Sequence, residues 1–162
     1  MRKCENEYMI KLILVGKTTD KHLESLIADY QQRLTHYLPF EIKVIPDLKQ
    51  GKLSFDQQKA LEGERILAAI PNNSHVVLLD ERGKQFRSID FAAHLQKTLN
   101  ATPNITFIIG GPYGFSQPVY DRADAMLSLS LMTFSHQMIR LLFVEQLYRA
   151  MTILRNEPYH HE

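Results

Sequence analysis

Short runs of consecutive apolar residues alternate with longer stretches in which apolar positions recur at helical spacing, and the alternation runs the length of the chain. Ile10 to Val15, His75 to Asp80 and Ile105 to Ile109 are nearly continuous and rich in β-branched residues, the pattern of strands buried on both faces. Phe40, Ile42 and Val44 alternate with polar neighbours and stop at Pro46, as a half-buried strand does. Met126 to Leu131 reads as a fifth strand. Between the strands, Leu23, Leu26, Ile27, Tyr30 and Leu34 mark an amphipathic helix from Asp20 to about Tyr37, stopped by Pro39. Ser54 with Gln57 forms a capping box for a helix reaching Ile70. Glu62 and Glu64 within it read as solvated charges, because a spacing of two puts them on different faces. Ser88 caps a helix to about Asn100, and Ser116 with Pro118 starts a short one to Ala125. The last helix spans about His136 to Asn156, with Ser135 as its cap. Its apolar set covers more than one stripe, which fits either a deep core helix or a symmetric dimer contact. Five strands alternating with helices predict a three-layer α/β domain around a mostly parallel sheet.

Composition narrows this picture a little. The chain has 162 residues, 44% hydrophobic and 23% charged, which suits one domain over 9–162 after a patternless extension at 1–8. Nineteen basic residues against eighteen acidic give no general attraction to nucleic acid, so any RNA surface is a local patch. The single Cys4 makes no intramolecular disulfide, and Lys11 interrupts the first apolar run, which spoils both a signal peptide and a membrane span. The expected compartment is the cytoplasm.

Candidate chemistry gathers where the predicted strands end, since ligands of open α/β sheets collect at carboxyl ends. Gly110, Gly111, Pro112, Tyr113 and Gly114 follow one strand and allow backbone to approach a ligand; the alternative is a plain tight turn. The charged loop Glu81 to Lys84 follows another, and Thr133 and Ser135 a third, so three loops face one crevice. Gly16, Lys17 and Thr18 resemble the end of a P-loop, but Lys11 stands where its first glycine belongs. The histidines show no HExxH spacing, so no metal is expected, and GxSxG is absent. The tail Asn156 to Glu162 follows a helix bearing Arg140, Arg149 and Arg155. It reads either as a frayed terminus or as a nucleotide contact in which Tyr159 stacks on a base and the arginines hold phosphates.

HVVLLDERGK, FIIGGPYGF, LSLSLMTFSHQMIRLLFVEQLYRAMTI and the terminal PYHHE, in that order, resemble the SPOUT-class methyltransferases of the RlmH type over Met9 to Glu162. The resemblance implies transfer of a methyl group from S-adenosylmethionine to N3 of a pseudouridine in 23S ribosomal RNA of the assembled ribosome. It also implies a homodimer and a C-terminal trefoil knot, which periodicity cannot show. By position it places cofactor contacts on Leu79, on Gly111, and on Ser130, Leu131, Met132, Thr133, Phe134 and Ser135. The catalytic candidates are His160 as a general base, or a water held by the tail, Arg140 or Arg149 stabilising developing charge, and Tyr159 positioning the nucleotide. His161 stands where the family tail carries a basic residue. A non-catalytic RNA- or ribosome-binding module is the alternative.

Overall fold

Strand β1 (Met9–Val15) is the spine of the molecule. β2 (Phe40–Ile45) pairs along one side of it and β4 (Asn104–Ile109) along the other; β3 (His75–Lys84) follows β4, and β5 (Ala125–Leu127) closes the edge. All four pairings are parallel, in the order β2-β1-β4-β3-β5. The computed structural model describes residues 8–48 and 53–161. Cys4, the basic loop at 49–52, Glu162 and the expected extension apart from Tyr8 lie outside the described residues. Tyr8 itself packs against the core.

Alternation along β1 divides the core. Ile10, Leu12 and Leu14 join one apolar cluster with Phe107, Leu95 and Leu147, while Ile13 and Val15 join another with Ile108, Ile66 and Val119. The first cluster is roofed by α1 (Lys21–Leu34), α3 (Ser88–Ala101) and α5 (Met138–Leu154), the second by α2 (Phe55–Ala69) and α4 (Gln117–Arg122). α5 packs against both α1 and α3, and Phe143 meets Phe107 on the sheet with ring centroids 4.8 Å apart. Its wide apolar set is therefore largely covered within the chain, by two flanking helices as well as the sheet. Burying Phe143, Val144 and Leu147 stabilises the fold by roughly 1.5 to 3 kcal/mol each.

Local signals set most element ends. Asp20 accepts hydrogen bonds from the backbone of His22 and Leu23, and the Ser54–Gln57 capping box forms in full. Ser88 instead occupies the first helical position and donates its hydroxyl to Gln146 Oε1 at 2.9 Å, tying α3 to α5; Arg87 stands at the N-cap, where its carbonyl accepts from Phe91 N–H at 2.8 Å. Glu62 is not solvated but 5% exposed. β3 continues through the segment expected as a charged loop, because Gly83 lets it approach β5: a Cβ there would lie 2.5 Å from the Leu127 backbone. The register shift between Leu79 and Lys84 is the bulge this produces. β5 is shorter than expected, ending at Leu127 once Ser128 N–H has bonded Lys84 O at 3.0 Å. No described helix is long and apolar enough to cross a membrane.

Candidate active site

The bulged middle of β3, the carboxyl end of β4 and the segment after β5 enclose one cleft of about 790 Å³. All eight residues expected to contact a cofactor line it: Leu79 midway along β3, just before its bulge, Gly111 after β4, and Ser130, Leu131, Met132, Thr133, Phe134 and Ser135 after β5. The last segment shapes itself through short-range bonds. Ser128 Oγ donates to Ser130 O and Met132 N–H donates to Ser130 Oγ, each at 3.0 Å. Ser135 Oγ accepts from Met138 N–H at 3.0 Å, so it does cap the start of α5, although the formal N-cap position is Gln137. Gln137 in turn clips α5 to the loop after β1, accepting from Thr19 N–H at 2.9 Å and donating to Lys17 O at 3.1 Å.

Glycines of this cleft differ in what they require. A Cβ on Gly110 would lie 2.9 Å from the Phe115 ring, and Gly114 has φ +77°, which L side chains rarely adopt. A Cβ on Gly111 would meet only Val15 at 3.8 Å and Glu62 at 4.0 Å, so the fold itself tolerates one. Glu62 lies behind this loop, and burial, then the Asp47 charge, raise its carboxyl above the usual range. On the opposite wall Tyr120 donates to Asp80 Oδ2 at 2.5 Å. Burial alone would raise Asp80, but the hydrogen bonds from Tyr120 and Arg82 outweigh it and hold the carboxyl low.

Arg140, expected among catalytic groups, is fully buried instead. It donates to Val15 O at 2.7 Å, Gly16 O at 2.9 Å, Thr18 Oγ1 at 3.1 Å and His136 O at 3.1 Å. Its guanidinium thus fastens the β1 end to the start of α5, and substrate has no access to it. Composition could not show this, since a lone arginine at the start of a helix reads equally well as a surface cation.

The tail is docked rather than frayed. Tyr159 OH donates to Glu145 Oε1 at 3.0 Å and lies 3.2 Å from Tyr30 OH, while its ring packs edge-on against Tyr148. Burial first, then these bonds, push the Tyr159 phenol well above its usual range. Arg149 binds Glu145 Oε1 at 2.6 Å, lies over the Tyr159 ring and donates to His160 Nδ1 at 3.1 Å. A guanidinium only donates, so Nδ1 must accept, and His160 presents Nε2–H outward as a donor. Arg149 Nε is buried with no hydrogen-bond partner among the described residues.

Arg149, Tyr159 and His160 therefore form one group, and the eight cleft residues form another. None of the three lines the cleft. Along α5, Arg149 lies ten residues beyond Ile139, the last cleft residue, a rise of roughly 15 Å. Apolar surface left open on this side is concentrated at the cleft rim, where Leu131 is 91% and Met132 76% exposed, with Phe134 and Met138 beside them. Among the described residues no group of three or more histidine, cysteine or acidic side chains could hold a metal ion.

A parallel α/β domain with a glycine-bordered cleft at its strand ends is a small-molecule-binding domain with room for a nucleotide-sized ligand. The chain belongs to the SPOUT methyltransferase family, whose model, described as a predicted SPOUT methyltransferase, matches residues 8–160. It is 59% identical over 154 residues to the ribosomal RNA large subunit methyltransferase H of Christiangramia forsetii, spanning 94% of this chain and 98% of that protein. The protein of the same name from Parabacteroides distasonis is 56% identical over 155 residues, spanning 94% and 99%. A solved probable methyltransferase from Bordetella pertussis Tohama I shares the fold, with TM-score 0.53 and 11% identity over 91% of this chain and 98% of that one.

Proposed function

We propose that this protein transfers a methyl group from S-adenosylmethionine to N3 of a pseudouridine in 23S ribosomal RNA of the large subunit, in the cytoplasm and as a homodimer. Family membership and the names of its relatives support the reaction class. The observation that carries the reading is the single cleft on which all eight expected cofactor residues converge. The cleft suits such a group: its volume falls within the range of small-molecule sites, Gly111 offers bare backbone, and Leu79, Leu131 and Ile139 supply apolar wall beside the polar serines. A binding module without catalysis would have no need of it.

S-adenosylmethionine, when bound, supplies a methyl group already activated on a sulfonium. What is left to the chain is mainly alignment, which is worth more than any single acid or base. Tyr159 positions the nucleotide, and His160 Nε2–H with Arg149 donates toward the carbonyl oxygens flanking N3 as negative charge develops there. The N3 proton then leaves to a water at the tail. Reacting atoms must come within about 3 to 3.5 Å, so a tail anchored on Glu145 and Arg149, roughly 9 to 15 Å along α5 from the last cleft residue, serves the cleft of a second copy. The apolar rim at Leu131 and Met132 is the surface that copy would cover. The reading includes a trefoil knot, supported by membership of the SPOUT family.

Incubation with labelled S-adenosylmethionine and unmodified ribosomes, followed by mass spectrometry of rRNA nucleosides, tests the assignment. Labelled 3-methylpseudouridine is the expected product; no labelled nucleoside, or label on another base, overturns it.

A further inference from the structure

At the edge of the cleft, two aromatic side chains stand in the open, and one of them, Tyr113, also lines the cleft. Phe55, at the first position of α2, is 66% exposed, and Tyr113, in the glycine loop, is 47% exposed. Their ring centroids are 4.7 Å apart at 44°, so they pack on each other and leave their outer faces to solvent. Neither belongs to the apolar clusters that hold the sheet and helices together. One helical turn beyond Phe55, Lys59 lines an adjoining cavity of about 780 Å³ together with Arg82, and it forms no ion pair among the described residues. Arg82 is largely exposed and lines both this cavity and the cleft; it pairs with Asp80 at 3.3 Å and leans over the Tyr120 ring. Asp56 and Asp124 line the same cavity. The acidic groups make this a poor seat for a run of phosphates, whereas two rings with one free cation suit a single unstacked nucleotide.

We propose that the Phe55–Tyr113 pair is a stacking platform for an unpaired RNA base near the nucleotide that enters the cleft, with Lys59 beside its phosphate. Unstacked bases pack on aromatic faces in single-stranded recognition whatever their identity, so the platform contributes affinity and register rather than sequence choice. It rests on the RNA methyltransferase reading above and adds a contact that reading does not assign. Phe55 lies outside the cofactor cleft, which separates its role from cofactor binding.

The test is steady-state methylation of unmodified large ribosomal subunits by Phe55→Ala, Phe55→Tyr and the wild-type chain, with S-adenosylmethionine affinity measured separately by calorimetry. Phe55→Ala is expected to raise the KM for the subunit about fivefold or more, with kcat and cofactor affinity unchanged, and Phe55→Tyr to restore it. Ultraviolet cross-linking with peptide mass spectrometry should then place a nucleotide adduct on Phe55 or Tyr113. An unchanged KM in Phe55→Ala, a loss that appears equally in cofactor affinity, or an adduct only to a ribosomal protein overturns the platform. A wild-type chain that methylates no large-subunit RNA defeats the underlying reading instead, and the platform falls with it.

Discussion

If each tail serves the other chain's cleft, inactivating the two parts on different chains leaves one working site in a mixed dimer. Take one chain carrying Gly111→Val and another lacking residues 158–162. The first blocks the cleft in a loop that accepts a Cβ without clash, and the second removes Tyr159 and His160. Alone, the truncated chain should fall by about 10² to 10⁴ in rate, the scale of lost positioning and proton transfer. In a purified dimer with one of each, one of two sites pairs an intact cleft with an intact tail, so activity should return to about half of wild type. The reciprocal arrangement is sharper. Both changes on one chain, paired with a wild-type partner, leave no intact pairing and should give essentially no activity. Differently tagged chains, co-expressed and purified through both tags, supply these dimers, and methylation of unmodified ribosomes reads them. Activity near half in the second arrangement and none in the first would place cleft and tail within one chain and refute the argument from their separation along α5.

Arg140→Met should cost about 3 to 5 kcal/mol, because it strands the buried carbonyls of Val15 and Gly16. Calorimetry should show a Tm drop on the order of 10 °C, and lost activity with unchanged Tm would make Arg140 a substrate contact after all. Arg149→Met should lower kcat by about 10² to 10³ while leaving cofactor affinity intact, since it touches the tail and not the cleft; a matching loss of cofactor affinity refutes the division between them. Glu62→Gln should stabilise the protein near neutral pH. The folded carboxyl is raised, so the wild type loses stability as pH climbs from the unfolded toward the folded value and keeps that deficit above it. Thermal melts should therefore converge for the two proteins in acid and separate on going to neutral, and a constant offset would show that Glu62 acts through packing alone.

The alternation of strands and helices was legible because buried parallel strands leave continuous β-branched runs, as in Ile10 to Val15 and Ile105 to Ile109. The cleft was legible because glycines and serines cluster where those runs stop. What escaped were consequences of neighbours distant in sequence. Glu62 is buried because the loop after β4 comes to lie against α2, which spacing along α2 cannot reveal. Arg140 is buried because three carbonyl and hydroxyl partners lie more than 120 residues away. The segment from Glu81 to Lys84 is charged and looked like a loop, yet Gly83 lets it run on beside β5. The width of the α5 apolar set was visible, but only its seat between α1 and α3 explains it. The docking of Tyr159 on Tyr30 and Glu145 likewise joins ends of the chain that periodicity treats as independent.

The position of β1 between β2 and β4 in the strand order has a consequence for synthesis. Its first neighbour, β2, follows within the first 45 residues, but its second, β4, begins only at Asn104. A ribosome adding about 5 to 20 residues per second needs roughly 3 to 12 s to make the intervening stretch. For that interval the most apolar strand of the nascent chain carries an open backbone edge and has neither α3 nor α5 to cover it. Clients of this shape are prone to pair with other unfinished chains, so yield at high expression should depend on chaperone supply and on slowing translation, even though the finished sheet keeps β1 covered on both sides.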